Sequence, residues 1–238
     1  MSPELSRIAI IALSLVGCSM LWANQAEGEP EQPRIVTSGT ETTAPSDAMI
    51  LFDGSSLDAW KHPSGEAAKW IVADGAATVS GGSLITKQSF GDAQVHIEFA
   101  TPGEPKGEGQ GRGNSGVYLQ GRYEVQVLDS FENQTYPNGQ CGAVYGQAPP
   151  LVNTSRGPGE WQTYDIIFRA ARFDAAGAKS SPAVVTVLHN GVLIQDHHEL
   201  TGPTTASLQA EGSSDGPLYL QDHGNPTRYR NLWIRSLD

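Results

Sequence analysis

Glu124 and Asp129, in the stretch GRGNSGVYLQGRYEVQVLD from Gly111 to Asp129, and Asp222 and His223, in LQDHGN much later in the chain, are the residues best suited to acid–base work. An imidazole such as His223 exchanges protons near neutral pH, and a carboxylate set on a strand face serves as a base or as a cation ligand. Amides and phenols surround them: Asn114, Tyr118, Gln120 and Gln126 in the first stretch, Tyr219 and Gln221 in the second, with Glu98 and Arg228 further off. This set can remove a proton, deliver one, and direct donors at a developing oxyanion. A divalent ion held by some of Glu98, Glu124 and His223 would add a cationic stabiliser, although no compact ligand motif requires one.

Strands must position these groups, because side-chain parity sorts them. Val117 and Leu119 share one face of a short strand, and Val125 and Val127 share one face of the next. Tyr118 and Gln120, then Glu124 and Gln126, are left on the opposite faces of this hairpin. In AQVHIEF, residues 93–99, Val95, Ile97 and Phe99 face a core and leave Glu98 outward; Leu218 and Leu220 do the same for Tyr219, Gln221 and His223. The polar faces converge if their strands share one sheet. Asp129 and Asp222 have the opposite parity and need a strand end or a bulge to join them. Asn114 falls at the rim.

The remainder has the composition of a turn-rich all-β protein, with 27 glycines, 15 prolines and 17% charged residues. Short alternating runs recur between turns, and AVVTVLHNGVLIQ, residues 183–195, is the strongest hairpin signal, built on Asn190-Gly191. A net charge of -11 argues against a nucleic-acid partner. The glycine-rich loop before the central hairpin lacks the lysine and following helix of a phosphate loop.

Residues 1–23 read as an export signal: Arg7 precedes the apolar run Ile8 to Val16, which is too short to span a bilayer. Cleavage after Ala23 and lipidation at Cys18, in a lipobox-like Leu15-Val16-Gly17-Cys18, fit equally well, so any membrane contact is expected through that lipid. Residues 24–47 are rich in Glu, Pro, Thr and Ser and read as a disordered linker, and one folded domain is expected over 48–238. Without Cys18, Cys141 has no intrachain disulfide partner and reads as a small core residue.

Five blocks in order, LFDGSSLDAW, GNSGVYLQGRYEVQVLD, GEWQTYDIIFR, HNGVLIQD and LQDHGNPTRYRNLWI, resemble the bacterial 3-keto-disaccharide hydrolase domain family, over essentially all of Ala48 to Asp238. The resemblance implies a concanavalin A-like jelly-roll β-sandwich of two antiparallel sheets. It also implies activity as a 3-keto-glucoside 1,2-lyase or 3-keto-2-hydroxy-glucal hydratase on an oligosaccharide or glycoside, with a sugar 3-oxidoreductase upstream to make the ketone. A 3-keto group acidifies the C2 proton, so such chemistry needs a base near C2, a donor or cation such as Arg228 beside the enolate oxygen, and an acid for the departing group. Two other readings stand beside it. One is a lectin-like binding protein on the same fold; the other is a conventional glycoside hydrolase using Glu98 and Glu124.

Overall fold

The computed structural model describes residues 32–40 and 43–237, so the expected signal segment and the first part of the expected linker lie outside the described residues. Two units separate, Met1–Ile35 and Val36–Asp238, and the described residues 32–35 of the first carry no regular element. Within the second unit the last part of the expected linker is ordered. Thr37 and Ser46 exchange hydrogen bonds, and the Asp47 carboxylate takes Nη2 of Arg235 at 2.7 Å. Composition suggested a tether here because it is poor in apolar residues; a turn closed by backbone bonds and one ion pair needs none.

The strands, in chain order, are β1 (Met49–Phe52), β2 (Trp60–Lys61), β3 (Ile71–Ala73), β4 (Ala76–Thr78), β5 (Leu84–Phe90), β6 (Ala93–Ala100), β7 (Ser115–Leu119) and β8 (Tyr123–Val127). They continue with β9 (Gln162–Arg169), β10 (Arg172–Phe173), β11 (Lys179–Ser181), β12 (Val184–His189), β13 (Val192–Glu199), β14 (Gly216–Leu220) and β15 (Arg228–Ser236). One sheet runs β2-β5-β14-β7-β8; the other runs β13-β12-β9-β6-β15-β4-β3, with β1 also on β15. All pairings within the two sheets are antiparallel, and β10 with β11 forms a separate ribbon. The result is the expected jelly-roll sandwich of two antiparallel sheets.

Alternation builds the core. Val95, Ile97 and Phe99 of β6, Tyr164, Ile166 and Phe168 of β9, and Leu232 and Ile234 of β15 turn inward from the larger sheet. Val117, Leu119, Val125 and Val127 of β7 and β8, with Leu218 and Leu220 of β14, turn inward from the smaller one. Cys141 is buried in this core, its Sγ 3.0 Å from the Tyr164 hydroxyl. At the turn between β12 and β13, Asn190 and Gly191 both have positive φ, 52° and 79°, the pair of left-handed residues that a two-residue hairpin requires.

The chain changes sheets between β14 and β15. The block LQDHGNPTRYRNLWI therefore straddles the sandwich: Leu220 ends a strand of the smaller sheet, and Arg228 begins a strand of the larger. That crossing decides which of the expected site residues can meet.

Candidate functional site

Near the β8 edge of the smaller sheet, its outer face carries the cross-strand pair Tyr118 and Glu124, directly opposite one another in the β7–β8 ladder. Val117 and Val125 point into the core, so this pair points out, and the Tyr118 hydroxyl donates to Glu124 Oε2 at 2.8 Å. Strand β14 lies on the other side of β7, with Tyr219 opposite Tyr118, and their rings pack at 4.5 Å between centroids. Beyond β14 the backbone N–H of Gln221 still bonds Gly116 O, which carries the Gln221 side chain on to the Tyr118 hydroxyl, 3.2 Å from its Nε2.

Gly116 makes room for the carboxylate. A Cβ at this position would lie 2.3 Å from Glu124 Oε1 and 3.0 Å from Tyr118 Cε2, so only a residue without one allows Glu124 to lie across the strand.

Two loops wall the site. Residues 141–148 extend the sheet past β8, with Gly142 N–H donating to Gln126 O and Tyr145 N–H to Glu124 O, and this brings the Tyr145 ring to the cleft. The segment after β13 bonds the same outer edge of β8. Thr204 Oγ1 accepts the Glu124 N–H at 2.9 Å, and Thr205 O accepts from the Tyr118 hydroxyl at 3.1 Å. The guanidinium of buried Arg122 holds that segment through Ala210 O and Ser214 O. The cleft so formed has a volume of about 100 Å³, and Asn114, Gln126, Gln221 and His223 line it beside the Tyr118–Glu124 pair.

Electrostatics follow from burial. Glu124 is 3% exposed, and loss of solvent pushes its carboxyl up from 4.5 to about 8, the Tyr118 hydrogen bond opposing the rise only in part. Tyr118 itself is pushed well above the ordinary phenol range by burial and by the neighbouring Glu124. Near neutral pH the phenol therefore keeps its proton and most of the Glu124 population is protonated as well, leaving an ionised minority that can take a proton.

Gln110 fixes the polar rim. Its Oε1 accepts from Gln126 Nε2 at 2.9 Å, and its backbone oxygen accepts from Asn114 Nδ2 at 2.8 Å, so both amides are oriented with their oxygens free of that contact. Gln126 Oε1 and Gln221 Oε1 are buried without a hydrogen-bond partner, two acceptors available to hydroxyl donors.

Glu124, His223, Asn114, Tyr118, Gln126 and Gln221 therefore come together, with Tyr219 packed behind Tyr118. Five other expected residues do not join them. Asp129 is engaged by Arg112 Nε at 2.7 Å and by the Phe131 N–H, and it pins the loop before β7. Asp222 accepts the N–H groups of Gly82 and Gly224, which ties two turns together. Both carboxylates are taken up by the parity that already set them apart. Gln120 falls in the β7–β8 turn at φ 52° and bonds Arg122 and Phe90 O instead.

Glu98 and Arg228 belong to the larger sheet, where each faces outward from the core. Parity was the same as for Glu124, but the sheet is the other one. Facing sheets are themselves about 10 Å apart, and these groups point away from each other, so Glu98 and Glu124 exceed the roughly 6.5–9.5 Å of an inverting carboxylate pair. That separation rules out Glu98 and Glu124 as the carboxylate pair of a conventional glycosidase. The metal set of Glu98, Glu124 and His223 is broken by the same fact, and no group of three His, Cys, Asp or Glu side chains suited to a metal occurs among the described residues. The structure also brings in groups that sequence reasoning missed: Tyr145, Gln110 and the Thr205 carbonyl, all from loops without periodicity. For Tyr145 the signal was the length and polarity of the loop after Asp129.

Comparison with known proteins agrees with the fold. The family described as 3-keto-alpha-glucoside-1,2-lyase-like domain matches residues 47–235. A 3-keto-disaccharide hydrolase of Bacteroides thetaiotaomicron is 23% identical over 252 residues, covering 80% of this chain and 78% of its own. Among solved structures, a protein of Parabacteroides distasonis ATCC 8503 provisionally named a glycosyl hydrolase is 45% identical, with a TM-score of 0.84 over 93% of this chain and 99% of its own. A second such protein from that organism, 20% identical with a TM-score of 0.61 over 81% of this chain and 94% of its own, shares the fold. With its sandwich fold and a matched region that runs across both sheets, this chain belongs to the 3-keto-alpha-glucoside-1,2-lyase-like domain family and is a carbohydrate-active enzyme.

Proposed function

We propose that the chain cleaves 3-keto-glycosides by removing the C2 proton and expelling the C1 substituent. The observation that carries this reading is Glu124, buried, held near a pKa of 8 and paired with the Tyr118 hydroxyl inside a cleft that His223 also lines. In its ionised form Glu124 takes the C2 proton, and the C–H electrons pass into the enolate of the C3 ketone. Collapse of the enolate forms the C1–C2 double bond and breaks the bond to the aglycone, whose oxygen takes a proton from His223. The product is a 2-hydroxy-glucal that keeps the ketone, and adding water across the new double bond completes a net hydrolysis. A base whose pKa lies near the working pH combines strength with a useful ionised fraction.

With the Tyr118 proton engaged by Glu124, Tyr145 and Gln221 line the cleft as neutral donors for the developing oxyanion, and Asn114 and Gln126 suit ring hydroxyls. The leader Ile8 to Val16 supports export to the bacterial periplasm or envelope, with Cys18 lipidation as the means of anchoring. A sugar 3-oxidoreductase is then the partner that supplies the ketone.

The test offers the purified protein a 3-keto-glucoside beside the unoxidised sugar and follows glucal absorbance. Glucal formation from the ketone alone, lost in Glu124→Gln, is the expected result. Release of the aglycone from the unoxidised sugar, or normal elimination by the variant, would overturn the proposal.

A further inference from the structure

A second cleft, of about 1020 Å³, lies on the outer face of the larger sheet, across the whole sandwich from Glu124. Side chains from β6, β9 and β15 form its floor, and Thr43 to Pro45 contribute to its wall. Its volume is at the upper end of the roughly 300–1,000 Å³ of small-molecule sites.

The polar groups in it are already held in place. Glu98, 7% exposed, accepts from Arg230 Nε at 2.6 Å and from Asn231 Nδ2 at 2.9 Å. His96 is fixed by Asp165 Oδ1 at 2.7 Å from its Nδ1 and by stacking on Trp233, 5.2 Å between ring centroids. The Arg230 guanidinium lies 4.1 Å from the Trp161 ring centroid, so the carboxylate and the indole together set its plane. Side chains ordered in advance lose less freedom when a ligand arrives.

The backbone is adapted to the same end. In the β15–β6 ladder Arg230 pairs with Glu98 and Trp233 with His96, so β15 carries an extra residue, and Asn231 takes up φ +47°. Simple alternation would turn Asn231 to the core while Arg230 faces out. The bulge lets both reach Glu98, in a left-handed conformation that asparagine tolerates better than most residues.

What such a floor recognises follows from its chemistry. A carboxylate, a planar amide and a guanidinium set side by side offer both donors and acceptors, which suits sugar hydroxyls, each of which both donates and accepts. Trp161 at the edge offers an apolar surface for ring C–H groups. Charges within the lining balance, Arg156 and Arg230 against Asp53 and Glu98, which favours a neutral ligand over a polyanion. We propose that this cleft is a second saccharide-binding site, taking a neutral oligosaccharide through its hydroxyls and independent of Glu124. It would hold a glycan on one face of the sandwich while the other face carries out elimination, raising the local concentration of substrate.

Calorimetric titration of the full chain with cellotetraose and with maltotetraose tests this. At least one is expected to bind with millimolar or tighter affinity, equally well in Glu124→Gln, and at least tenfold more weakly in Trp161→Ala and in Asn231→Gly. Asn231→Gly keeps the left-handed backbone and removes only the amide, so its fold, checked by thermal melting, is expected to survive. Failure of both sugars to bind at ~10 mM, binding lost in Glu124→Gln, or binding that either cleft variant leaves intact would overturn the proposal.

Discussion

Replacing Glu124 by Gln should make the protein more stable, by an amount that grows with pH. In the unfolded chain this carboxyl titrates near 4.5, and in the fold burial raises it to about 8. Between those values the folded state holds a proton that the unfolded state has released, so stability is complete below about 4.5 and is lost as pH rises through about 8. At ~1.36 kcal/mol per pH unit the full cost of ionising Glu124 in place approaches ~5 kcal/mol in alkali and is ~3 kcal/mol at neutrality. Glutamine keeps an acceptor for the Tyr118 hydroxyl, fits above Gly116 and never ionises. Urea unfolding of both proteins at about pH 5, 7 and 9 should show the advantage of Glu124→Gln widening by ~4 kcal/mol across the series. An advantage that stays constant with pH would mean that Glu124 titrates normally, and the base assigned above would lose its physical ground. The same titration governs catalysis in the opposite sense: kcat/KM should rise with pH through about 8, as the base becomes ionised.

Three further outcomes follow from single contacts. Tyr118→Phe removes the hydrogen bond that partly offsets burial of Glu124, so the rising limb of the kcat/KM profile should move to higher pH; an unmoved limb would disconnect the pair. Gly116→Ala places a methyl 2.3 Å from Glu124 Oε1 without straining the backbone, and displacing the carboxylate by about 1 Å should lower kcat about 10²-fold in a protein that still melts cooperatively. Asp92 is the counter-case. Burial alone would raise its carboxyl, but the Ala170 N–H and the Arg169 and Arg172 guanidiniums bring it below 3.8. Its stabilisation is present above 3.8 and lost as pH falls below that, so Asp92→Asn should cost ~1–3 kcal/mol at neutral pH and progressively less in acid, read by the same unfolding assay.

Parity explains what the sequence made legible and what it hid. Alternation assigned the inward and outward faces of β6, β7, β8 and β14 because each has one face in a common core, and period two leaves little freedom once that face is known. It could not say which sheet a strand joins, since both sheets turn apolar residues to the same core. Glu98 and Glu124 obey one pattern and lie on opposite sides of the molecule. Arg228 is separated from His223 by four residues, yet the chain crosses between sheets in that interval. Tyr145 and Thr205 lie in loops positioned by hydrogen bonds to β8 and by the buried Arg122, and Gln110 in a turn held by Asn133, contacts that no local pattern announces.

Removing Arg228 and Glu98 from the site also accounts for the state of Glu124. Among the described residues lining the cleft none is lysine or arginine, and His223 is the only one able to carry a positive charge. A guanidinium close to Glu124 would favour its ionised form and pull the carboxyl down toward or below the ordinary range. The result would be an anion stable at all working pH but too weak a base for a carbon acid. With neutral neighbours, burial keeps the carboxyl near 8, where the ionised minority is a far stronger proton acceptor. On the protein's own side chains, oxyanion stabilisation then falls to phenol and amide dipoles, which can be set around the carboxyl without lowering it as a fixed cation would. Introducing a cation is the direct trial of this trade. Gln221→Lys should shift the kcat/KM limb to lower pH while reducing the plateau rate, and a plateau that rises instead would show that a cation, not a stronger base, is what the reaction lacks.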